Sequence, residues 1–178
     1  MDKTLDFRAF GKNDIRGIYG EDVTEEIFYL AGRGYVKFVL ENLNKNSNPD
    51  EKTEAKSLWI TVTMDARTHS PSLTEALIKG VTSTGANVLN LGMAPTPLGY
   101  YSEFAQIPEN IIGKGKVNGA LIVTASHNPS EYNGLKMTFN KASLTEDQIK
   151  EVKKYAMAEL NARETSVRHG FIKKYNII

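Results

Sequence analysis

Cysteine is absent from this sequence, which excludes disulfide bridges and thiolate metal sites. An excess of charge of one sign is also missing, because 22 Lys and Arg residues stand against 21 Asp and Glu, for a net charge of +1. Such a balance provides no field to attract nucleic acid or an anionic membrane, and we predict neither as a partner. Apolar runs long enough to span a bilayer are absent as well.

Signals for export are also missing from the sequence. The first ten residues, MDKTLDFRAF, carry acidic side chains and lack the apolar segment of a signal peptide. Asn-x-Ser/Thr acceptor sites, which are typical of glycosylated secreted proteins, do not occur. Together with the lack of cysteine, these features favour a cytoplasmic protein. The length of 178 residues, with 40% hydrophobic residues, suits one compact domain.

Helical and extended patterns alternate along the chain. Apolar residues at helical spacing predict four helices, at residues 24–43, 70–85, 96–106 and 145–163. Runs rich in β-branched residues predict four strands, at residues 57–65, 86–92, 119–125 and 135–140. Strand–helix alternation is typical of parallel strands, whereas the last strand follows its predecessor after only a loop and is predicted antiparallel. The sequence therefore predicts a three-layer α/β/α domain with a four-stranded mixed, mostly parallel sheet.

A cluster of polar side chains follows the third predicted strand. Residues 124–129 read TASHNP and come directly after the apolar run GALIV. Ligands of open α/β sheets gather at the carboxyl ends of parallel strands, so this position favours a functional site. A capped turn is the alternative, because Asn before Pro is typical of bends. A nucleophile–base pair of Ser126 and His127 is not expected, since neighbours in an extended chain point to opposite faces.

Other candidate sites carry weaker signals. Residues 113–118, GKGKVN, fit neither the dinucleotide-binding nor the P-loop pattern, and 107–118 is predicted to be a solvated connector. The three histidines lie far apart in the sequence, so a metal site built from this chain alone is not predicted. Asp65 and Arg67 follow the first predicted strand, and such a pair more often orders a loop than binds a ligand. Arg16 precedes a glycine in a turn, where an arginine binds phosphate or fixes the loop.

Four stretches in a fixed order resemble a known family. They are FGKNDIRG at 10–17, MDARTHSP at 64–71, APTPLGYY at 94–101 and TASHNPSEYNGLK at 124–136. Together they resemble the first, N-terminal domain of the α-D-phosphohexomutase superfamily, which contains phosphoglucomutases and phosphomannomutases. The resemblance covers nearly the whole chain, and its most specific part is the TASHNP loop followed by Asn133, Gly134 and Lys136.

The resemblance implies a chemistry for these residues. Ser126 would be carried as phosphoserine and would transfer its phosphoryl group to a hexose monophosphate, making a 1,6-bisphosphate. The sugar would then reorient and return its other phosphoryl group, so that phosphate moves between O1 and O6, an isomerase reaction by intramolecular phosphotransfer. The implied catalytic residues are Ser126, Lys136 and His127, and the implied substrate- or phosphate-binding residues are Arg16 and Asn128. Lys136 would either assist proton transfer at the sugar hydroxyl or steady phosphate charge.

The resemblance also implies cofactors and further domains. Mg²⁺ would bind Ser126 through its phosphate, hexose 1,6-bisphosphate would act as an activator, and hexose phosphates would be the substrates. Relatives of full length hold the other Mg²⁺ ligands in a DGDxDR-type loop of a second domain, with sugar-selecting and phosphate-binding loops in a third and fourth. These loops do not occur in the present sequence. We therefore predict that this chain alone has no measurable mutase turnover.

Two interpretations from different classes follow. In the first, residues 1–165 are the phosphoserine domain of a mutase, residues 166–178 are a linker or the start of a second domain, and domains II–IV are missing. In the second, the chain is complete and is a noncatalytic sugar-phosphate-binding or phosphoacceptor module that needs a partner protein. A stand-alone phosphatase is less favoured, because the sequence shows no water-activating metal cluster. The phrase HNPSEYNGLK resembles the phosphomannomutase/phosphoglucomutase branch, but it does not separate glucose from mannose.

Overall fold

A computed structural model describes residues 5–160 and 168–177 of the chain. The strands in these ranges are β1 (Ile15–Ile18), β2 (Trp59–Met64), β3 (Asn87–Met93), β4 (Val117–Val123), β5 (Tyr132–Phe139), β6 (Ala142–Ser143) and β7 (Ile172–Lys174). The helices are α1 (Glu25–Asn44), α2 (Ser70–Ser83), α3 (Thr96–Tyr101), α4 (Glu109–Ile112) and α5 (Glu146–Glu159). Short 3₁₀ turns occur at Pro49–Glu51 and Ala55–Ser57.

The strands form one sheet in the order β1-β5-β4-β2-β3-β7, and β6 pairs with β5. β2 runs parallel to both β3 and β4, and β7 runs parallel to β3. β5 is antiparallel to β4 and to β1, as the short connection to β5 predicted for the first of these pairs. The mixed, mostly parallel sheet is therefore confirmed, but the predicted count of four strands is wrong, because the described residues contain seven.

The strands that the sequence did not predict are short. β1 has four residues, IRGI, β6 has two and β7 has three, IKK. Segments of this length are too short to show a two-residue alternation of apolar and polar side chains, so only their pairing partners reveal them. The predicted domain boundary at 165/166 and the end of the last predicted helix at 163 lie outside the described residues, and the boundary stays a prediction.

Helices cover both faces of the sheet, which confirms the three-layer architecture. α1, α2 and α5 pack together on one face, over the main apolar core. α3 lies on the other face against β2 and β4, where Trp59, Leu89 and Ile112 form a second, smaller core. The prediction of a fully solvated connector at 107–118 is therefore wrong, since Ile112 and Val117 are buried. In the described part of the chain no helix has the length and apolar character needed to cross a membrane.

Local signals in the sequence define where α1 begins and how closely it packs. The Thr24 side chain accepts a hydrogen bond from the Ile27 N–H at 3.2 Å, which is an N-cap. Gly34 then faces α5, and a Cβ at that position would lie 2.7 Å from the carbonyl oxygen of Val152. Because glycine lacks that atom, the two helix backbones can come this close and cover one face of the sheet.

Two loops leave the sheet side by side at the carboxyl ends of β2 and β4. Met64 and Val123, the last residues of these parallel strands, are direct partners in the ladder. The N–H of Asp65 then donates to the Val123 carbonyl at 3.0 Å. The polar residues after β2 therefore lie beside those after β4, at the sheet edge where ligands of α/β proteins bind.

Candidate active site

The loop after β4 is a tight turn that presents Ser126 to solvent. The N–H of Asn128 donates to the Ala125 carbonyl at 3.0 Å, and the N–H of Ser126 donates to Thr124 Oγ1 at 3.0 Å. Ser126 and His127 are exposed, whereas Thr124 and Ala125 are buried. Ser126 has φ +54°, in the left-handed region that non-glycine residues rarely adopt. A turn is therefore present, but its side-chain cap comes from Thr124, because Asn128 Oδ1 accepts from Arg16 instead. Strained, exposed residues cluster at functional sites, and Ser126 has both properties.

Arg67, from the neighbouring loop, holds this turn by its backbone. Its Nη1 donates to two carbonyls and its Nη2 donates to two more, at 2.6–3.2 Å; the four acceptors are Pro129, Tyr132, Ser126 and Asn128. The Nε of Arg67 donates to Asp65 Oδ2 at 3.2 Å, which fixes the direction of the guanidinium. These contacts confirm that the Asp65–Arg67 pair orders a loop, and the loop that it orders is the TASHNP loop.

Asp65 is held as a carboxylate at the root of this arrangement. Burial raises the pKa of the Asp65 carboxyl, but hydrogen bonds from Ser70, the Arg67 N–H and Thr124, with the Arg67 charge, outweigh burial. The net result is a pKa below the ordinary value for aspartate. Ser70 Oγ donates to Asp65 Oδ1 at 2.6 Å, so α2 is tied to the same carboxylate.

Acidification should reveal the contribution of Asp65. A carboxyl whose pKa is lowered by folding stabilises the folded state above its unfolded pKa, about 3.9, and that stability is lost as the pH falls through the folded value. We expect Asp65→Asn to flatten the loss of unfolding free energy between about pH 5 and pH 2. Urea unfolding at several pH values measures it, with Asp50→Asn, on an exposed turn, as the control. If the unfolding free energies of Asp65→Asn and the wild type fell equally on acidification, the lowered pKa of Asp65 would be contradicted.

His69 supports the loop from the other side. Its ring stacks on Tyr19 with centroids 4.5 Å apart, and its Nε2 lies 3.0 Å from the Ser130 carbonyl oxygen. The buried Asn133 amide Nδ2 lies 2.7 Å from His69 Nδ1. These two contacts fit the tautomer in which Nδ1 accepts from the amide and Nε2–H donates to the Ser130 carbonyl. The sequence contained His69 only as one of three scattered histidines, and its function as a loop support was missed.

Two cations from β1 and β5 meet beside the loop. Arg16 Nη1 donates to the Ala125 carbonyl at 3.0 Å and to Asn128 Oδ1 at 2.6 Å. Arg16 Nη2 and Lys136 Nζ both donate to Asp14 Oδ2, at 2.5 and 3.2 Å. Three of the predicted site residues, Arg16, Asn128 and Lys136, are therefore brought together, although they are up to 120 positions apart in the sequence (136 minus 16).

Gly134 allows this meeting of three strands. It lies on β5 opposite Arg16 of β1, and its carbonyl accepts from the Thr124 N–H at 3.0 Å. A Cβ at this position would lie 2.3 Å from the Ile15 carbonyl oxygen, well inside van der Waals contact. The missing side chain therefore allows a close backbone approach, which brings Arg16 against the turn that carries Ser126.

Ser126 and His127 are the other two predicted site residues. In the part of the chain that the structure describes, their side chains form no hydrogen bond with each other. The extended-chain argument against their pairing does not apply to Ser126, because its φ is +54°. The expectation that Ser126 and His127 do not form a nucleophile–base pair therefore stays a prediction. His127 is exposed at the tip of the loop and remains available to a ligand.

Asp14 was not recognised as a site residue from the sequence. It lies two positions before Arg16, and side chains two apart in extended chain share a face. This spacing was the signal that the carboxylate and guanidinium meet.

No group of three or more His, Cys, Asp or Glu side chains that could hold a metal ion is found among the residues that the structure describes.

The fold and the loop together define a class: a three-layer α/β/α domain whose central parallel strand ends in a serine-bearing turn lined by an arginine and a lysine. A family profile described as "Phosphoglucomutase/phosphomannomutase, alpha/beta/alpha domain I" matches residues 8–163. The chain belongs to this family and corresponds to its N-terminal domain.

Curated relatives and solved structures agree with this assignment. The chain is 30% identical over 172 residues to a phosphomannomutase/phosphoglucomutase of Pseudomonas putida, which covers 97% of this chain and 31% of that protein. It is 35% identical over 130 residues to a probable phosphoglucosamine mutase of Thermococcus gammatolerans, covering 73% of this chain and 23% of that protein. A crystal structure of a family protein from Burkholderia thailandensis superposes with a TM-score of 0.76 at 27% identity, covering 98% and 34% of the two chains.

The matched relatives are longer than this chain and are named for different sugars. It spans about a third or less of the length of the relatives it matches. Relatives named for different sugars match at similar identity, since the Pseudomonas and Thermococcus proteins differ by five percentage points (35 minus 30). The preference for the phosphomannomutase/phosphoglucomutase branch therefore stays a prediction.

Proposed function

We propose that this chain is the phosphoserine-bearing domain of a phosphohexomutase that interconverts hexose 1-phosphate and hexose 6-phosphate through a 1,6-bisphosphate. The observation that carries the proposal is the placement of Ser126. It lies exposed on a clamped turn at the carboxyl end of β4, next to Arg16. Phosphoryl transfer depends mainly on positioning and on neutralising charge, and this turn offers both.

Each neighbouring residue has a role in the proposal that fits its position. Arg16 and Lys136 supply positive charge for the phosphoryl oxygens, and Lys136 also exchanges a proton with the sugar hydroxyl. Asn128 carries a side-chain amide whose oxygen is already bonded to Arg16, so its N–H groups are the ones directed to phosphate. His127 donates a hydrogen bond from the exposed tip. Arg67 orients the turn without contacting the reacting group, because its guanidinium donates to Asp65 and to four backbone carbonyls.

Mg²⁺ is part of the proposal, with a restriction on its ligands. When bound, the ion would neutralise the oxygens of the Ser126 phosphate. Mg²⁺ requires near-octahedral oxygen coordination, and the described residues contain no carboxylate cluster able to supply it. Besides the phosphate and water, further ligands would have to come from outside the described residues. Residues that select the sugar would also have to come from outside the described residues. Activation by hexose 1,6-bisphosphate is proposed because this compound would donate a phosphoryl group to an unmodified Ser126.

The direct test is the modification state of Ser126 in the protein as its own cells make it. We expect the peptide containing Ser126 to carry one phosphoryl group, and we expect added hexose 6-phosphate to remove it, with a hexose bisphosphate appearing. Tandem mass spectrometry distinguishes Ser126 from Ser130 in the same loop. An unmodified serine that stays unmodified after incubation with hexose 1,6-bisphosphate and Mg²⁺ would refute the proposal.

The 178-residue chain by itself should show no measurable mutase turnover. Its described residues lack a carboxylate cluster for Mg²⁺, and the chain spans about a third or less of its relatives. A coupled assay that follows glucose 6-phosphate formed from glucose 1-phosphate measures this directly. Metal-dependent turnover by the purified chain, abolished in Ser126→Ala, would show that the chain contains a complete active site.

A further inference from the structure

A single carboxylate oxygen lies between the two cations of the candidate active site. Asp14 Oδ2 accepts from Arg16 at 2.5 Å and from Lys136 at 3.2 Å. The three side chains are 13%, 25% and 23% exposed, in the order Asp14, Arg16 and Lys136. Solvent therefore screens these contacts less than those of open surface pairs. Asp14 Oδ2 accepts hydrogen bonds from both cations, and the same two cations would attract an oxygen of a phosphoryl group.

The cluster keeps unused capacity for an anion. One negative and two positive charges leave the three groups with a net charge of +1. Arg16 Nε is buried and has no hydrogen-bond partner among the residues that the structure describes. A buried N–H without a partner is unfavourable, so a second acceptor at this place would be stabilised. Asp14 therefore satisfies the two cations only in part.

We propose that Asp14 is a built-in counter-anion, which holds Arg16 and Lys136 in the unmodified site and competes for them with a phosphoryl group on Ser126. The inference rests on the proposed function, because that function supplies the competing group. Asp14 acts through the two cations and is a positioning residue. Its loss would remove the competing carboxylate from both cations and would strengthen anion binding.

The competition suits a group that must leave as readily as it arrives. Binding that is equally strong before and after transfer does not accelerate the transfer, and an overly stable phosphoserine would slow it. When the phosphoryl group departs, Asp14 takes over the two cations, so that they are not left unpaired in a partly buried place. The carboxylate thus reduces the free-energy difference between the phosphorylated and the unmodified site.

The sign of a change in phosphate affinity tests this inference. We expect Asp14→Asn to lower the dissociation constant for inorganic phosphate, probed by the amide signals of residues 126–128 in an NMR titration, by roughly 3- to 10-fold. If Asp14 only supported the fold of the loop, its replacement would weaken phosphate binding. The control is Asp6→Asn, which removes the same charge from a side chain that is 56% exposed and pairs with Arg8.

An unchanged or higher dissociation constant in Asp14→Asn would overturn the inference. A measurement on the wild type covers the case in which that variant does not fold. Saturating phosphate should shift the carboxyl carbon signal of Asp14 and leave that of Asp6 unchanged, and the absence of a shift at Asp14 would also overturn it. These tests use free phosphate, so they succeed or fail independently of whether Ser126 carries a phosphoryl group in the natural protein.

Discussion

Ser126→Ala is expected to abolish mutase activity in the natural full-length protein, with a loss of at least about 10³-fold in kcat. The hydroxyl oxygen is the proposed acceptor and donor of the phosphoryl group, and alanine offers no atom to carry it. Folding should be preserved, because no side-chain partner holds Ser126 Oγ in the described structure, and the Arg67 contact is to the Ser126 carbonyl. A coupled assay of hexose 6-phosphate formation measures the loss.

The matched control is Ser130→Ala, in the same exposed loop. Ser130 meets His69 through its backbone carbonyl, which alanine retains. We expect its activity to stay within about twofold of the wild type, since surface changes away from special contacts usually have small effects. Full activity in Ser126→Ala would assign the phosphoryl group to a different residue and would remove the basis of the proposed function.

Arg67→Ala is expected to have the largest effect on stability, lowering the free energy of unfolding by about 2–4 kcal/mol. The substitution removes one guanidinium that binds four carbonyls and leaves Asp65 without its ion-pair partner. The side chain is 15% exposed, so water replaces these contacts only in part. Urea unfolding measures the stability. Hydrogen exchange at the amide of Asn128 should become faster in the same variant, because the turn is no longer held.

Arg8→Ala is the control for Arg67→Ala. Arg8 pairs with Asp6 and Asp22, but its side chain is 61% exposed. Solvent screens ion pairs of so exposed a side chain, so only a small loss of stability is expected. Equal losses in the two variants would show that the four carbonyl contacts of Arg67 have no special weight. Unchanged exchange at Asn128 would show that the turn keeps its shape without the guanidinium.

The sequence predicted the centre of this fold better than its edges. β2, β3, β4 and the long helices carry enough residues for their apolar period to show, and Thr24 and Thr145 mark helix starts that the structure confirms with side-chain caps. β1 and β7 became strands only because β5 and β3 offer them partners. Pairing of this kind depends on residues more than 80 positions away (172 minus 88 for Ile172 and Val88), which local patterns do not report.

The sequence likewise predicted some parts of the candidate site and missed others. The TASHNP motif located Ser126 and its loop, and the position after a buried strand gave a physical reason for a site there. The contacts around the loop were harder to predict from the sequence, because Asp14, His69 and Arg67 lie in three separate stretches of the chain. Charged residues near a turn usually have solvent-exposed alternatives, and only tertiary contacts select between them. For Asp14, the spacing from Arg16 is a local signal, but the contact with Lys136 arises only because β1 lies beside β5.

The left-handed backbone of Ser126 has a consequence for how its turn is used. A non-glycine residue in this region is disfavoured by roughly 1–2 kcal/mol, and the surrounding contacts must outweigh that strain. The direction in which the hydroxyl-bearing carbon projects is therefore decided when the domain folds, before any sugar arrives. In the proposed reaction, the fold therefore sets the direction of the serine, and the incoming sugar phosphate has to orient itself to it.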